Sequence, residues 1–154
     1  MFDVPVDSTY VWFGVGAVSL AVFGVAAGLP SAAPPDAAAA AATVDAVAVG
    51  PPGAVDHHEL RADRIRLGSF QVGLDGPGGR AHAIFAYPVA PAVEDSRLER
   101  ILAGERAPSV FGSAEEFTDA VATVQGGDPD WRPAPDRLTA RRVAWRGVNV
   151  TLVG

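Results

Sequence analysis

The pattern of apolar and polar residues divides the chain into an uncharged N-terminal run, an alanine- and proline-rich stretch and a region of mixed periodicity. Residues 10–29, YVWFGVGAVSLAVFGVAAGL, carry no charge over twenty positions. A helix of that length spans about 30 Å, the thickness of a bilayer's hydrocarbon core. Tyr10 and Trp12 stand at its start, where amphipathic aromatic side chains prefer the headgroup level. The pattern predicts a transmembrane helix over residues 10–29, after a short tail at residues 1–9.

Two other interpretations of the apolar run remain open. A cleaved secretory signal peptide has a positively charged start and a shorter apolar core, whereas the first nine residues carry two aspartates and no arginine or lysine. The alanine-rich sequence after Leu29 nevertheless offers positions for cleavage. A buried helix of a soluble protein fits less well, because the run is apolar on every face and little chain remains to enclose it.

Small residues recur along one stripe of the predicted transmembrane helix. They are three or four positions apart: Gly14, Ala17, Ala21, Gly24 and Gly28. Lipid provides no hydrophobic drive for helix association, so small side chains, which allow close approach of two backbones, favour it. The stripe predicts a helix-packing face. The competing interpretation is that glycine and alanine are simply common in this chain and in membrane helices.

An alanine- and proline-rich stretch, residues 30–59, follows the apolar run. Asp36 can cap a helix, alanine has the highest helix propensity, and Gly50 with the proline after it ends one. The stretch is therefore either a short helix over residues 37–49 or an extended linker. In both cases we expect a spacer between the membrane and a folded domain.

The remaining residues, 60–154, begin with the alternation typical of strands. Apolar and polar residues alternate over residues 64–74, with a shift of phase near residue 68 that indicates a bulge or a tight turn. The glycine- and proline-rich residues 75–79 predict a turn, and residues 81–87 alternate again. These segments predict a β-hairpin.

Two helices and two further strands follow the hairpin. Residues 94–103 place their large apolar side chains on one side of a helix, and a capping box that begins at Ser113 starts a second helix, which ends before residue 126. Strands are predicted at residues 138–145 and 148–153. The order β-β-α-α-β-β predicts an α+β fold, in which a small antiparallel sheet is packed with two helices.

Composition and charge narrow the range of functions. The net charge is −6 and no stripe of basic residues stands out, which argues against a nucleic-acid partner. Cysteine is absent, which excludes disulfides, thiolate metal sites and cysteine nucleophiles. All twelve basic residues are arginine. With the high content of aspartate, alanine, valine and glycine, this composition indicates a salt-adapted host with GC-rich DNA.

One short cluster has the residue types of a metal site. His57, His58 and Glu59 are consecutive, but neighbouring side chains on an extended chain point to opposite faces, so one ion would also need His82 and a carboxylate. We interpret the cluster as solvated and predict neither a metal nor a cofactor.

Three other features bear on function. Asn149 begins an N-x-[ST] sequence, which makes it a candidate N-glycosylation acceptor, and it lies on the predicted outward face of the last strand together with Thr151. Trp131, in a proline-rich loop at residues 128–136, is interpreted as a packing residue rather than a recognition platform, as is Trp145. The sequence shows no nucleophile elbow, phosphate-binding loop or carboxylate pair, so no catalytic residue and no enzyme are predicted.

Several segments of the chain resemble a known family. They are MFDVPVDSTYVW, the alanine-rich APPDA and TVDAVA, then DRIRLG, HAIFAY and the ending WRPAPDRLTARRVAWRGVNVTLVG. Together they resemble a haloarchaeal family of uncharacterised small single-span membrane proteins, whose members tend to be encoded near type II/type IV pilus-like secretion components. The resemblance covers most of the chain and implies a membrane-anchored accessory of such an assembly. A pilin itself fits poorly, since archaeal pilins have a basic leader and no lysine or arginine precedes Tyr10.

The sequence therefore predicts a non-enzymatic, single-pass membrane protein of a cell-surface assembly. Its expected partners are the membrane and other single-span, pilus-like or secretion proteins. The alternative is a tethered extracellular binding module for a small ligand or an envelope polymer, with a concave pocket near Trp131, His82 and the arginines. A membrane-tethered enzyme would need convergent histidine and carboxylate groups that the sequence does not indicate. We expect the domain outside the cell, because the first arginine is Arg61 and neither flank of the span carries the positive charge typical of cytoplasmic loops.

Overall fold

The computed structural model describes residues 14–19 and residues 32–154. Residues 14–19 are helical, and a separate compact unit extends from Ala32 to Gly154. None of the helices within these two ranges has both the length and the hydrophobicity needed to cross a membrane. The predicted tail at residues 1–9 lies outside the described residues, and so does the predicted transmembrane segment apart from residues 14–19.

The compact unit contains four helices and eight strands within residues 32–154. In chain order they are α1 (Ala37–Val49), β1 (Val55–Glu59), β2 (Arg64–Leu67), β3 (Gln71–Gly76), β4 (Gly79–Ile84), β5 (Ala90–Pro91), α2 (Arg97–Leu102), α3 (Ala107–Val110), α4 (Ala114–Gln125), β6 (Trp131–Pro133), β7 (Arg137–Trp145) and β8 (Val148–Val153). The strands form two four-stranded sheets. Sheet A has the order β1-β7-β8-β5 and sheet B the order β4-β3-β2-β6. The predicted α+β class is confirmed.

Helix α1 lies in the core of the unit. It starts at Asp36, whose Oδ1 accepts a hydrogen bond from the backbone N–H of Ala39 at 2.9 Å, and it ends before Gly50. Its buried alanines and valines pack against strands of both sheets, and small side chains suit a helix that two sheets approach closely. The helix expected over residues 37–49 is therefore not part of a spacer. The folded unit includes it and begins at Ala32 rather than near residue 60.

Sheet A separates two hydrophobic cores. Leu138 and Val153 belong to the core that contains α1 and the inner face of sheet B, whereas Val143 and Leu152 belong to the core formed with α2, α3 and α4. This division follows from the alternation of side chains along β7 and β8. It also explains why Thr151, predicted to face outward, is only 1% exposed: it shares the face of Val153, which α1 covers.

The predicted hairpin is present, and β7 and β8 form a second one. Strands β3 and β4 pair from Gln71–Ile84 to Gly76–Gly79, so Pro77 and Gly78 form the turn. Strands β7 and β8 are joined by Arg146 and Gly147, which have φ angles of 47° and 88°. Two consecutive positive φ angles are what a type I′ hairpin turn requires.

Helix α4 is capped by Ser113 as predicted, but Glu116 accepts its hydrogen bond from Gly112, one residue before the cap, rather than from Ser113. The Oγ of Ser113 accepts a hydrogen bond from the N–H of Glu116 at 3.1 Å, and the Oε2 of Glu116 accepts one from the N–H of Gly112 at 3.0 Å. Helix α2 has a similar start that was not predicted, with Ser96 as its cap and Glu99 three residues later. It is shorter than the expected helix at residues 94–103.

The strand order differs from the predicted β-β-α-α-β-β arrangement around one antiparallel sheet. Strands β1, β5 and β6 were missed, and β5 is parallel to β8. All three lie at sheet edges. An edge strand has fewer buried neighbours, so its sequence need not show strong apolar alternation. The 'VDHHE' of β1 and the 'WRP' of β6 accordingly resemble linker and loop.

Candidate functional site

The outer face of sheet B carries two rows of aligned residues. The strand register places four residues side by side in the first row: Trp131, Arg66, Gly73 and His82. The second row, in the same strand order, is Pro133, Arg64, Asp75 and Arg80. Residues two apart on a strand share a face. Both rows therefore face away from α1, whereas Ile65 and Leu74 face the core.

Three arginines surround the indole of Trp131. The guanidinium carbons of Arg64, Arg66 and Arg80 lie 5.6, 5.7 and 5.6 Å from the centre of the Trp131 ring. Contacts of this kind occur about once per 70–80 residues in proteins, so three on one ring form a strong local concentration. We call this surface, made of Arg64, Arg66, Gly73, Arg80 and Trp131, the guanidinium–indole face.

Gly73 provides the space in which the indole lies. A Cβ atom at this position would lie 3.2 Å from Cη2 of Trp131 and 3.6 Å from Cζ2. The first distance is tighter than an ordinary carbon–carbon contact. The absence of a side chain at Gly73 therefore lets the ring rest against strand β3, and rigid strands hold the three guanidinium groups around it.

The face is positively charged although the chain is acidic overall. Arg80 pairs with Asp75, whose Oδ2 accepts a hydrogen bond from the Arg80 Nε at 3.1 Å. Within residues 14–19 and 32–154, Arg64 and Arg66 make no ion pair or side-chain hydrogen bond. Three arginines against the single carboxylate of Asp75 leave these rows a formal charge of +2, and guanidinium groups beside one aromatic ring would suit an anionic group from outside the chain.

Exposed apolar side chains continue the same surface. Ile84 follows His82 by two positions on β4 and is 75% exposed, and Phe70, immediately before β3, is 58% exposed. A groove of about 310 Å³ lies beside them and is also lined by Gln125 and Pro129. Large apolar side chains next to tryptophan and arginine are a composition typical of the energetic centres of protein–protein interfaces.

A second concave region, of about 780 Å³, lies over the α2 side of sheet A. Arg137, Thr139 and Arg141 contribute from β7 and His57 from β1, while α2 and the β6–β7 loop form the walls. His57 pairs directly with Thr139, so these residues share one face of the sheet. We call this region the sheet A cleft.

The walls of the cleft are held by specific hydrogen bonds. The Arg141 Nε donates to the carbonyl oxygen of Leu102 at 2.9 Å, which satisfies an acceptor at the end of α2. On the opposite side, the N–H of Ala134 donates to the carbonyl oxygen of Asp63 at 3.0 Å. The cleft is therefore formed by the fold itself.

The histidines and Asn149, which the sequence offered as candidate site residues, do not come together in the structure. His57 and His58 alternate on β1 and His82 lies in the other sheet. In the part of the chain that the structure describes, no three histidine, aspartate or glutamate side chains come close enough to hold a metal ion. Asn149 is exposed in β8, beside the turn, and its Nδ2 donates to the carbonyl oxygen of Gly147 at 3.4 Å.

The predicted helix-packing stripe is described only at its start. Gly14 and Ala17 lie in the helical residues 14–19, and added Cβ atoms at Gly14 and Gly16 would have no neighbour within 4 Å. The other three members, Ala21, Gly24 and Gly28, lie outside the described residues. The stripe therefore stays a prediction.

The grouping of the arginines with Trp131 was not predicted from the sequence. The alternation of Arg64 and Arg66 with apolar residues placed them correctly on one face of a strand. Trp131, however, was assigned to a loop, so its strand pairing with β2 was not considered. The useful signal was the aromatic residue in 'DWRP', since tryptophan favours strands and proline is tolerated in edge strands.

The comparisons with known proteins identify a family but no characterised relative. Residues 3–143 match the model of a family of unknown function, DUF7283. This confirms the expectation of a family without an assigned activity. Neither the curated proteins nor the solved structures gave a match.

Proposed function

We propose that this chain, which belongs to the family of unknown function DUF7283, is a membrane-anchored, non-enzymatic component of a cell-surface assembly. Its folded unit docks on an acidic partner protein through the guanidinium–indole face. The observation that carries the docking is the position of three guanidinium groups within 5.7 Å of one indole centre. The membrane anchor is the uncharged run at residues 10–29.

The composition of the face supports a protein partner. Arginine and tryptophan are enriched at interface centres, where they contribute most of the binding energy. Ile84 and Phe70 add exposed apolar area next to the charged rows. A partner with carboxylates around an apolar centre would complement both parts of this surface.

The proposed assembly is a pilus-like or secretion-like system of a haloarchaeal cell surface, with the folded unit outside the cell. This part of the proposal rests on the sequence resemblance and on the lack of basic residues next to the apolar run. In that setting the anchor limits diffusion to the membrane plane, so even a modest docking affinity gives stable association.

Affinity purification from native membranes tests the proposal. Tagged full-length protein is extracted in mild detergent, and the co-purifying proteins are identified by mass spectrometry for the wild type and for the Arg64→Ala/Arg66→Ala variant. We expect pilus-like ATPase, platform or pilin subunits with the wild type and a loss of most of them with the variant. Arg146→Ala, in an exposed turn away from the face, is the matched control. Purification of the wild type alone would contradict the proposal.

A second candidate function is supported by the sheet A cleft. Its volume of about 780 Å³ lies within the range of pockets for small molecules. A tethered binding module for a small ligand or an envelope polymer would use this cleft, which Trp131 and His82 do not line, rather than the pocket expected near those two residues, and it would not require a partner protein.

A further inference from the structure

The sheet A cleft combines a basic side with an apolar side. Arg132, Arg137 and Arg141 line it together with His57. Arg137 and Arg141 are four residues apart on β7 and therefore share a face, with Thr139 between them. Arg132 comes from β6 on the other sheet, on the side opposite to Trp131, because neighbouring residues on a strand alternate.

These arginines are not neutralised within the described part of the chain. The ion pairs found there join other residues, namely Arg80 to Asp75, Arg97 to Glu116 and Arg100 to Glu105. Arg141 uses only its Nε for Leu102, so its terminal nitrogens stay available as donors. Arg132 and Arg141 are also half-buried, which strengthens their interaction with an anion relative to open solvent.

Two carboxylates, those of Glu94 and Glu99, also line the cleft, and against three arginines they leave it a formal charge of +1. The Oε2 of Glu99 already accepts a hydrogen bond from the N–H of Asp95 at 2.7 Å, as part of the start of α2. Glu94 is exposed to solvent, where water and salt screen its repulsion of a bound anion. The half-buried part of the cleft therefore contains two guanidinium groups, those of Arg132 and Arg141, and one carboxylate, that of Glu99.

The rest of the lining is apolar and suits the body of an organic molecule. Leu102 and Ala92 are buried at one side, and Pro133, Ala134 and Pro135 form the opposite wall. A free inorganic ion would leave this part of the cleft unused, whereas an organic anion would fill both parts.

We propose that the sheet A cleft binds a small organic anion, with a carboxylate or phosphate group at Arg132, Arg137 and Arg141 and its apolar body between Leu102 and the proline wall. Arginine suits this role because its planar donors match both groups in a bidentate arrangement. The inference rests on the second candidate function and does not require the proposed assembly. The cleft shares strand β6 with the guanidinium–indole face, but Arg132 lies on the opposite side of that strand from Trp131.

Isothermal titration calorimetry of the full-length protein in detergent micelles tests this inference. The probes are benzoate and phenyl phosphate, with benzyl alcohol as the neutral analogue and inorganic phosphate as the head group alone. We expect saturable binding of at least one aromatic anion, and binding at least about tenfold weaker for the neutral analogue and for inorganic phosphate, since a charged hydrogen bond or a buried ring contributes that much or more. Whichever anion binds more tightly identifies the preferred head group.

Variants assign the binding to the cleft. Arg132→Gln/Arg137→Gln removes two guanidinium groups without touching the hydrogen bond to Leu102, and we expect at least about a tenfold loss of affinity for the preferred anion. Arg146→Gln, which changes the net charge in an exposed turn, should bind as the wild type does. Unchanged affinity in the double variant, equal binding of benzyl alcohol, or no saturable binding of either aromatic anion would overturn the inference.

Discussion

Gly73 and Trp131 form a close pair across sheet B, in which a Cβ atom on the glycine would lie 3.2 Å from Cη2 of the indole. The glycine in β3 therefore determines how closely the indole lies against the outer face of sheet B. Because Gly73 has no side chain, the indole lies against the sheet with Arg64, Arg66 and Arg80 around it. A glycine within a strand usually weakens it, and here the space it leaves is occupied by the aromatic ring.

Substitution of Gly73 tests this arrangement. Gly73→Val places two methyl groups where the indole lies, so we expect the ring to move away from the arginines and partner recovery from membranes to fall at least as far as in the Arg64→Ala/Arg66→Ala variant. Valine favours strands, so the free energy of unfolding should change by no more than about 1 kcal/mol. The indole NMR signal of Trp131, assigned with Trp131→Phe, should shift strongly.

Gly112→Ala is the control for Gly73→Val, because an added Cβ at Gly112 would make only an ordinary contact, 3.5 Å from the Glu116 Oε2. This variant should leave the Trp131 signal and partner recovery unchanged. An unshifted signal in Gly73→Val, with full partner recovery, would show that the glycine does not position the ring.

Features of the fold that depend on a single short segment could be predicted from the sequence. The caps at Asp36 and Ser113, the turn at Arg146 and Gly147 and the apolar alternation of β2 and β3 each depend on a few neighbouring residues. The choice of partners between distant segments could not be predicted in this way. The high helix propensity of residues 37–49 is compatible with both a spacer helix and a core helix. The structure shows a core helix because strands of both sheets pack against it.

The same limit applies to the candidate sites. The arginines of β2 and their common face follow from alternation along one strand, but the approach of Trp131 depends on the pairing of β6 with β2, segments more than sixty residues apart. The sheet A cleft requires strands from two sheets and the end of α2. Its arginines therefore could not be grouped before the topology was known.

The position of α1 between the two sheets predicts sensitivity to added volume. Ala40 is 0% exposed, so Ala40→Leu should overpack the core and lower the free energy of unfolding by about 1–3 kcal/mol. Ala38→Leu, an exposed site in the same helix, should change it by less than about 0.5 kcal/mol. Urea unfolding followed by circular dichroism measures both. Equal stability of the two variants would mean that residues 37–49 form a spacer after all.

The helix-packing stripe predicts an effect on assembly that is separate from docking. Ala17→Leu/Ala21→Leu enlarges two side chains of the stripe and should hinder close helix approach. We expect a smaller complex in detergent, measured by light scattering after size-exclusion chromatography, with unchanged stability of the folded unit. Val15→Leu, at a position at least about 100° around the helix from every member of the stripe, is the control. An unchanged complex size in the double variant would contradict the packing face.

The contact between Arg97 and Glu116 predicts a component of stability that disappears in acid. Hydrogen bonds from the Arg97 guanidinium and then from the N–H of Gly112 lower the pKa of Glu116 below its usual value. The guanidinium carbon of Arg97 also lies 4.3 Å from the centre of the Phe111 ring, so Arg97 joins α2 both to the start of α4 and to Phe111. A lowered folded-state pKa means that the stabilisation is complete above the unfolded-state pKa, about 4.3 for glutamate, and is lost as the pH falls through the folded-state value.

Comparison of two glutamine variants isolates this component. Glu116→Gln should be less stable than the wild type at pH 7, and the difference should shrink as the pH falls below about 4, because the wild type then loses the same charge. Glu115→Gln removes a carboxylate from the same helical turn, without the arginine contact, so it controls for the helix dipole. Urea unfolding at pH 7, 5 and 3 gives the three free energies for each protein. If the difference between Glu116→Gln and the wild type is the same at all three pH values, the carboxylate charge of Glu116 does not stabilise the contact with Arg97.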